Sequence, residues 1–215
     1  MTAGSTAERA FAEAVAALVG ADPQLAGLVA EHGRPDYWSR PPGFATLVLL
    51  VLEQQVSLAS AAATYRSMLR HQGGMTPRHV LANDDMRGDG VSRQKQRYLL
   101  ALATAVETGA LDLDGLAALD DDAARAALTA LPGIGRWTAD VYLLACLHRP
   151  DLWPVGDRAL QVATAETLGL AQVPSAAELE VHGERWRPYR STAARLLWHG
   201  YLRRRGRDAM PVPVL

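Results

Sequence analysis

The sequence has little cysteine, little lysine and no long apolar stretch, and each shortage excludes a class of protein. One cysteine, Cys146, excludes a disulfide framework and any iron–sulfur or other metal site built on several cysteines. Only Lys95 among the 22 basic residues is a lysine, so a lysine nucleophile has one candidate. The longest apolar run, 44–52, contains Thr46 and is far too short to span a bilayer. No signal-peptide pattern is present, and we expect a cytoplasmic protein that binds no membrane.

Aromatic residues are also scarce, at 6% of a chain that is 49% apolar. Such a chain can bury a core, and a core built mostly from Ala, Leu and Val favours helices. The net charge of −1 predicts no partner by itself, but arginines crowd the C-terminal stretch 185–207. A basic face on a neutral chain can bind a polyanion, and a solvated arginine face is equally compatible with this pattern.

The periodicity of apolar residues predicts helices along nearly the whole chain and no strand. Gly20 ends the first helix, Thr76 is placed to cap a short helix, and Ser92 is placed to cap the next one. The longer predicted helices cover 6–19, 44–71, 93–108, 120–130, 136–148, 156–168, 175–186 and 191–204. The sequence therefore predicts an all-α protein with mostly short connections.

The most informative stretch is 131–140, Leu-Pro-Gly-Ile-Gly-Arg-Trp-Thr-Ala-Asp. Gly133 and Gly135 flank Ile134 between two predicted helices, and glycine leaves the backbone bare and tolerates positive φ. Because the second helix begins there, its first N–H groups and its positive dipole end are placed to bind a phosphate. A bare Gly-x-Gly turn is more often an ordinary connection between two helices.

The whole string, however, resembles the helix-hairpin-helix of the base-excision DNA glycosylase superfamily. That superfamily places an essential aspartate about twenty residues further on. Here the position holds Asp157, in the run 153–160, Trp-Pro-Val-Gly-Asp-Arg-Ala-Leu. Alone, Asp157 is more typical of a helix N-cap or of a partner for Arg158. The residues that the resemblance assigns to a DNA phosphate are Gly133, Ile134, Gly135 and Thr138.

Three further segments are similar to the 3-methyladenine DNA glycosylase II branch of this superfamily, the AlkA type. Segment 53–57 resembles the loop that enters the minor groove, 90–95 matches a helix start, and 184–198 is similar to the C-terminal signature. The branch's bacterial prototype carries an additional N-terminal β-domain. This chain begins with a predicted helix and resembles a compact form without that domain.

The resemblance implies two helical lobes with the active site in a cleft between them. One lobe is expected over 43–149 and contains the hairpin, at about 122–148. The other combines 1–42 with 150–215 and carries Asp157. The cleft is expected to hold Trp137 beside this aspartate.

Some members of the superfamily carry a lysine after the hairpin. The amine of this lysine attacks the sugar, and the strand is then cut. Trp137 occupies that position here, and Lys95 lies on a different predicted helix, where we interpret it as a solvated surface residue. We therefore expect a monofunctional glycosylase without lyase activity, in which water is the nucleophile. Asp157 is expected to stabilise the positive charge that develops on C1′. An alkylated purine such as 3-methyladenine is already cationic and leaves without a general acid.

Glycosylases extrude the target base, and Gln55 is the expected wedge that fills the gap in the minor groove. An aromatic pocket attracts a cationic base, and the resemblance assigns Trp137 and Trp198 to it. Trp38 and Tyr142 are weaker candidates, which we interpret as core residues.

Two family aromatics are replaced in this chain, by Arg158 and Val141, which predicts a more open pocket and leaves the preferred alkylated base undecided. No iron–sulfur cluster is expected, and Cys146 lies on an apolar helix face where it is expected to pack. No cofactor is expected to be required. By resemblance alone, a structural Na+ or K+ would bind the backbone carbonyls of Thr129, Leu131 and Ile134.

The sequence thus predicts a monomeric base-excision repair enzyme that acts on double-stranded DNA with damaged bases, in the nucleoid. Two alternatives stay open. A glycosylase for uracil or a deaminated base needs hydrogen bonds to the leaving base, and no Asn or His near the motif supplies them. A non-catalytic helix-hairpin-helix protein would not need Asp157 at its spacing from the hairpin.

Overall fold

The computed structural model describes residues 3–207, and within this range every regular element is helical. The prediction of an all-α protein is therefore confirmed. The α-helices are α1 (Ala3–Ala21), α2 (Pro23–His32), α3 (Phe44–Glu53), α4 (Leu58–Gln72), α5 (Pro77–Ala82), α6 (Arg93–Glu107), α7 (Asp121–Thr129), α8 (Arg136–Cys146), α9 (Arg158–Leu168), α10 (Ala176–Gly183) and α11 (Arg190–Arg203). Short 3₁₀ turns cover Gly115–Ala118 and Glu184–Trp186.

Most helices begin at a side chain that accepts a backbone N–H of the first turn, which is the role of an N-cap. Thr76 and Ser92 cap α5 and α6 as the sequence predicts, and Pro77 occupies the first turn of α5. The capping side chains are Asp22, Ser57, Thr76, Ser92, Asp120, Asp157 and Ser175.

The sequence prediction missed α2, although its start carries two ordinary signals. Asp22 accepts the backbone N–H groups of Gln24 and Leu25, and Pro23 occupies the first turn. In the described part of the chain no single helix is long and apolar enough to cross a membrane. The pair Thr6–Ala21 and Pro23–His32, bent by 119°, meets the length and composition criteria only when taken together.

The single helix predicted over 44–71 is wrong, because the chain forms two helices there. The backbone leaves the helical conformation at Gln54, which has ψ of 125°, and Gln55 follows in the left-handed region with φ of +59°. Ser57 then caps α4 through the backbone N–H of Ser60. Apolar periodicity continues through the break, so the pattern alone did not show it.

The chain forms two compact units. The first contains residues 3–39 and 148–207 of the described range, with α1, α2 and α9 to α11. In this unit α11 packs against α1, α2 and α9, and the indoles of Trp153 and Trp186 meet edge to face at 5.3 Å in its core. Trp186 also donates to Asp22 at 2.9 Å, which fixes the start of α2.

The second unit is Arg40–Leu147, with α3 to α8. Helix α3 is buried on all sides and packs on α4, α6 and α8. Such a helix forms the centre of a unit and not its surface. At its end, Glu53 accepts two hydrogen bonds of 2.9 Å from the guanidinium of Arg40, and both side chains are buried.

Candidate active site and DNA-binding hairpin

The turn between α7 and α8 uses its two glycines differently. Gly133 has φ of +85°, and a Cβ added there would lie 2.1 Å from Cγ of Tyr98. Gly135 has φ of −87° and ψ of 175°, and a Cβ there would meet nothing within 4 Å. Ile134 between them is buried and anchors the turn. Positive φ and close approach therefore require glycine at 133 alone.

Helix α8 follows Gly135, an N-cap residue that has no side chain to bond to the first N–H groups at the positive end of the dipole. Thr138, which the sequence assigned to phosphate binding, has a side chain turned inward. It is 1% exposed, and its Oγ1 accepts a hydrogen bond from Nε2 of Gln54 at 3.0 Å. The phosphate role of these hairpin residues stays a prediction that rests on backbone groups.

A buried carboxylate that the sequence analysis left without a role joins the two helices of the hairpin. Asp140 on α8 is 0% exposed and accepts from Nε of Arg125 on α7 at 2.6 Å. Arg136, one turn before it, approaches the other oxygen at 3.4 Å. The four-residue spacing of Arg136 and Asp140 on one helix face is a signal that sequence reasoning can use.

The loop 54–57 forms an exposed tip at the end of α3. Gln55 and Val56 are both exposed, Val56 by 46%, so the tip presents a polar and an apolar side chain together. Of these two residues, only Gln55 was predicted from the sequence to enter the minor groove. The available signal for Val56 was its place within 53–57, the segment that resembles the minor-groove loop.

Lys95 holds this tip, so its interpretation as a solvated surface lysine is wrong. Its Nζ donates to the carbonyl oxygens of Leu52 at 2.6 Å and Gln54 at 2.9 Å, and burial lowers the pKa of its ammonium. Those oxygens lie at the end of α3, where helix carbonyls lack intrahelical partners.

Asp157 lies at the N-cap of α9 in the first unit. Its Oδ1 accepts the backbone N–H of Leu160 at 2.8 Å and the indole Nε1–H of Trp198 at 3.1 Å. The N-cap role is compatible with the predicted catalytic role, because the capping bond fixes the direction of the carboxylate. Arg158, the other partner suggested by the sequence, donates to Gln161 at 3.2 Å.

A stack of aromatic and cationic groups supports Trp198 from within the same unit. The ring of Trp38 lies 6.1 Å from that of Trp198, and the guanidinium of Arg195 lies over Trp38 at 4.7 Å and over Tyr37 at 5.2 Å. Trp198 and Arg195 are each 4% exposed. Trp38 therefore packs beside Trp198, and the buried arginine one turn earlier on α11 fixes its face.

His148 closes this stack at the side of Tyr37. The two side chains are 2.6 Å apart, from the Tyr37 hydroxyl to Nδ1 of His148. Burial lowers the pKa of His148, with a further contribution from the charge of Arg195, and burial raises the pKa of Tyr37. Both shifts favour the neutral pair, in which the tautomer of the imidazole decides which group donates.

The remaining predicted side chains lie on α8, in the second unit. Trp137 is half-buried in the first turn of α8, in the second unit, so it and Trp198 belong to different units. Tyr142 is fully buried, and its hydroxyl accepts the backbone N–H of Gly43 at 2.8 Å, which confirms the core interpretation. Cys146 is buried on α8, as expected for packing. Within the described residues no group of three His, Cys, Asp or Glu is arranged to hold a metal ion.

The C-terminal arginines, for which the sequence left a solvated face or a phosphate surface open, are largely paired with acids. Arg190 is buried and donates to Asp151, and Arg185 reaches Asp22 at 3.0 Å. Arg205 and Arg204 share Glu166, at 2.7 and 3.4 Å. Much of this charge is neutralised within the first unit, which favours a structural role for the cluster.

The contact between Trp198 and Asp157 gives a direct prediction. Trp198→Phe keeps an aromatic ring and removes the N–H, and we expect the rate of the reaction that Asp157 serves to fall about 10-fold, the effect of losing a hydrogen bond to a charged group. Trp186→Phe is the matched control, because it loses an equivalent indole bond to Asp22. Single-turnover kinetics of both variants measure the effect, and an unchanged rate in Trp198→Phe would show that the bond does not position the carboxylate.

No protein-family model matches the chain. A curated relative, the probable bifunctional transcriptional activator/DNA repair enzyme AlkA of Mycobacterium tuberculosis, is 35% identical over 86% of this chain. The chain spans 39% of that relative's length.

Two solved structures are similar over nearly their whole length. The DNA-3-methyladenine glycosidase of Bacillus halodurans is 30% identical, with a TM-score of 0.75 over 89% of this chain and 90% of that one. The 3-methyladenine DNA glycosylase of Schizosaccharomyces pombe, in complex with abasic DNA, is 27% identical with a TM-score of 0.77, over 86% of this chain and 95% of that one. The chain belongs to the helix-hairpin-helix DNA glycosylases, in their 3-methyladenine DNA glycosylase branch.

Proposed function

We propose that this protein is a monofunctional DNA glycosylase that excises alkylated bases, of the 3-methyladenine type, from double-stranded DNA. The observation that carries the proposal is the Asp157 carboxylate, fixed at an N-cap and bonded to the indole of Trp198. The names of the relatives support the same activity. We place its action in base excision repair, on the DNA of the nucleoid.

Asp157 acts on the sugar in this proposal. Breaking the N-glycosidic bond builds positive charge on C1′, and a carboxylate held in place by two donors stabilises that charge without reorganising. Water attacks C1′, with Asp157 placed to orient it and to accept the proton that it loses. A base that is cationic through alkylation takes the electron pair of the broken bond and leaves neutral, so no general acid is needed.

The second unit holds the DNA. The backbone around Gly133 and Gly135 binds a phosphate at the start of α8, and such contacts do not read the base. The tip enters the minor groove, where Gln55 fills the space of the extruded base and Val56 adds apolar contact. Gln55 is polar and can also bond to the unpaired opposite base.

A monovalent cation at the hairpin would bring its own positive charge to the phosphate. Thr129 ends α7, where carbonyls lack intrahelical partners, and the Leu131 carbonyl accepts only a long bond of 3.2 Å from the Ile134 N–H within the turn. Backbone oxygens are suitable donors for Na+ or K+. DNA affinity in K+ and in tetramethylammonium, at equal ionic strength, tests this proposal, and equal affinities in the two salts would contradict it.

DNA treated with a methylating agent tests the activity. We expect the protein to release methylated purines, identified by chromatography, and to leave normal bases in place. Release of no base, with DNA binding intact, would indicate a binding protein that has lost catalysis.

The absence of lyase chemistry is a separate prediction. Lys95 is the only lysine, and its Nζ is bonded to two backbone carbonyls of the tip in the second unit. We therefore expect an intact abasic strand and no covalent complex that borohydride can trap. A trapped complex that disappears in Lys95→Ala would contradict the assignment of water as the nucleophile.

A further inference from the structure

The base of the exposed tip is held by polar contacts from two directions. From α6, the ammonium of Lys95 bonds to the carbonyl oxygens of Leu52 and Gln54. On the hairpin side, the carbonyl oxygen of Gly133 accepts a hydrogen bond from Nε2 of Gln54 at 2.8 Å. The same side-chain nitrogen also donates to Oγ1 of Thr138. Gln54 is therefore fixed through both its backbone and its side chain.

Helix α6 contacts both the base of the tip and the hairpin, because Lys95 and Tyr98 lie one turn apart on it. Tyr98 packs so closely on Gly133 that a Cβ at this glycine would lie 2.6 Å from the tyrosine Cβ. One face of α6 thus contacts both the tip and the hairpin. The geometry ties the position of the tip to that of the phosphate-binding turn within the second unit.

The contact made by Lys95 stabilises the backbone at the end of α3. A cation at the C-terminal end of α3 interacts favourably with the helix dipole and saturates carbonyls that the helix leaves unpaired. Directly after these carbonyls the chain turns into the left-handed region at Gln55, which is unfavourable for a residue with a Cβ. Such a conformation persists where its surroundings impose it.

We infer that Lys95 is the positioning residue of the DNA-inserting tip, which its ammonium holds in register with the hairpin so that Gln55 is presented to the minor groove. This inference rests on the proposed function for what the tip does. Lys95 reaches neither the base nor the sugar in this role and acts through Gln55.

The first experiment tests the anchoring without reference to activity. Amide hydrogen exchange of the free protein is compared for the wild type, Lys95→Met and Arg97→Met. Arg97 is exposed on the same helix, so its variant removes an equal charge without touching the tip. We expect faster exchange in peptides covering 52–58 for Lys95→Met alone, and equal exchange in all three proteins would overturn the inference.

The second experiment is a double-mutant cycle on single-turnover base release from a methylated duplex. We expect Lys95→Met to slow release about 10-fold or more, as the loss of charge-assisted bonds implies, and Lys95→Arg to restore most of the rate. If Lys95 acts through Gln55, adding Lys95→Met to Gln55→Ala has little further effect. Additive losses, or an equal loss in Arg97→Met, would overturn the inference.

A fold check and a second variant keep the test decisive. Thermal melting is measured first, and Lys95→Gln, which keeps a donor without the charge, replaces Lys95→Met if the latter does not fold. If the wild type releases no base while exchange at 52–58 still depends on Lys95, the proposed function fails and the anchoring stands. If release is normal and exchange does not depend on Lys95, the inference fails and the proposed function stands.

Discussion

Asp157→Asn is expected to release base at least about 10²-fold more slowly than the wild type, as for the loss of a main electrostatic contribution to the transition state. The amide oxygen of Asn can still accept from Leu160 and Trp198, and Asn caps helices as well as Asp. The fold and the affinity for DNA should therefore remain, because binding depends on phosphates. Single-turnover release at saturating enzyme and a binding titration measure the two quantities.

Asp157→Ala is the control for the capping role. It removes the acceptor as well as the charge, and we expect it to lose about 1 kcal/mol of stability that Asp157→Asn keeps. Near-normal release by the Asn variant would show that the carboxylate serves only as a cap.

Valine at the two hairpin glycines is expected to change the free energy of unfolding by very different amounts. Gly133→Val combines a β-branched residue at φ of +85° with a Cβ 2.1 Å from the Tyr98 ring, so we expect a loss of about 3 kcal/mol or more. Gly135→Val meets open space and ordinary φ, and should remain within about 1 kcal/mol of the wild type. Thermal or urea unfolding of both variants checks this difference.

The stable variant then isolates phosphate binding. A side chain at 135 would stand where a phosphate approaches the start of α8, and we expect affinity to fall about 10-fold for damaged and undamaged duplexes alike. Release at saturating enzyme should be affected less, because Asp157 is unchanged. A folded Gly135→Val that loses affinity for the lesion alone would place this turn in base recognition.

Most helices could be predicted because their starts carry local capping signals and their faces follow the helical period. Two errors show the limits of such patterns. The break before Gln55 was missed because apolar periodicity continues through it, and the lysine that bonds to the carbonyls there comes from another helix. The pattern Gly-Ile-Gly also does not show which glycine needs positive φ, since the packing of Tyr98 decides it.

The catalytic candidate was predicted from its spacing after the hairpin and Trp198 from the family resemblance, but the hydrogen bond between them was not predicted. Trp198 is far from Asp157 in sequence and reaches it only through the packing of α11 on α9. Arg195 belongs to the arginine-rich C-terminal stretch, and charged residues are usually exposed. The sequence contains no signal that it stacks on Trp38 and Tyr37. Long-range contacts of this kind depend on the tertiary fold.

Base release from two matched duplexes, one methylated and one containing uracil, tests the proposed activity most directly. The free base and the length of the product strand are measured together in each reaction. We predict release of the methylated purine, no release of uracil, and an abasic strand that stays intact until treated with alkali. Release of uracil in preference to the methylated purine, or strand cleavage without alkali, would contradict the proposal of a monofunctional glycosylase for alkylated bases.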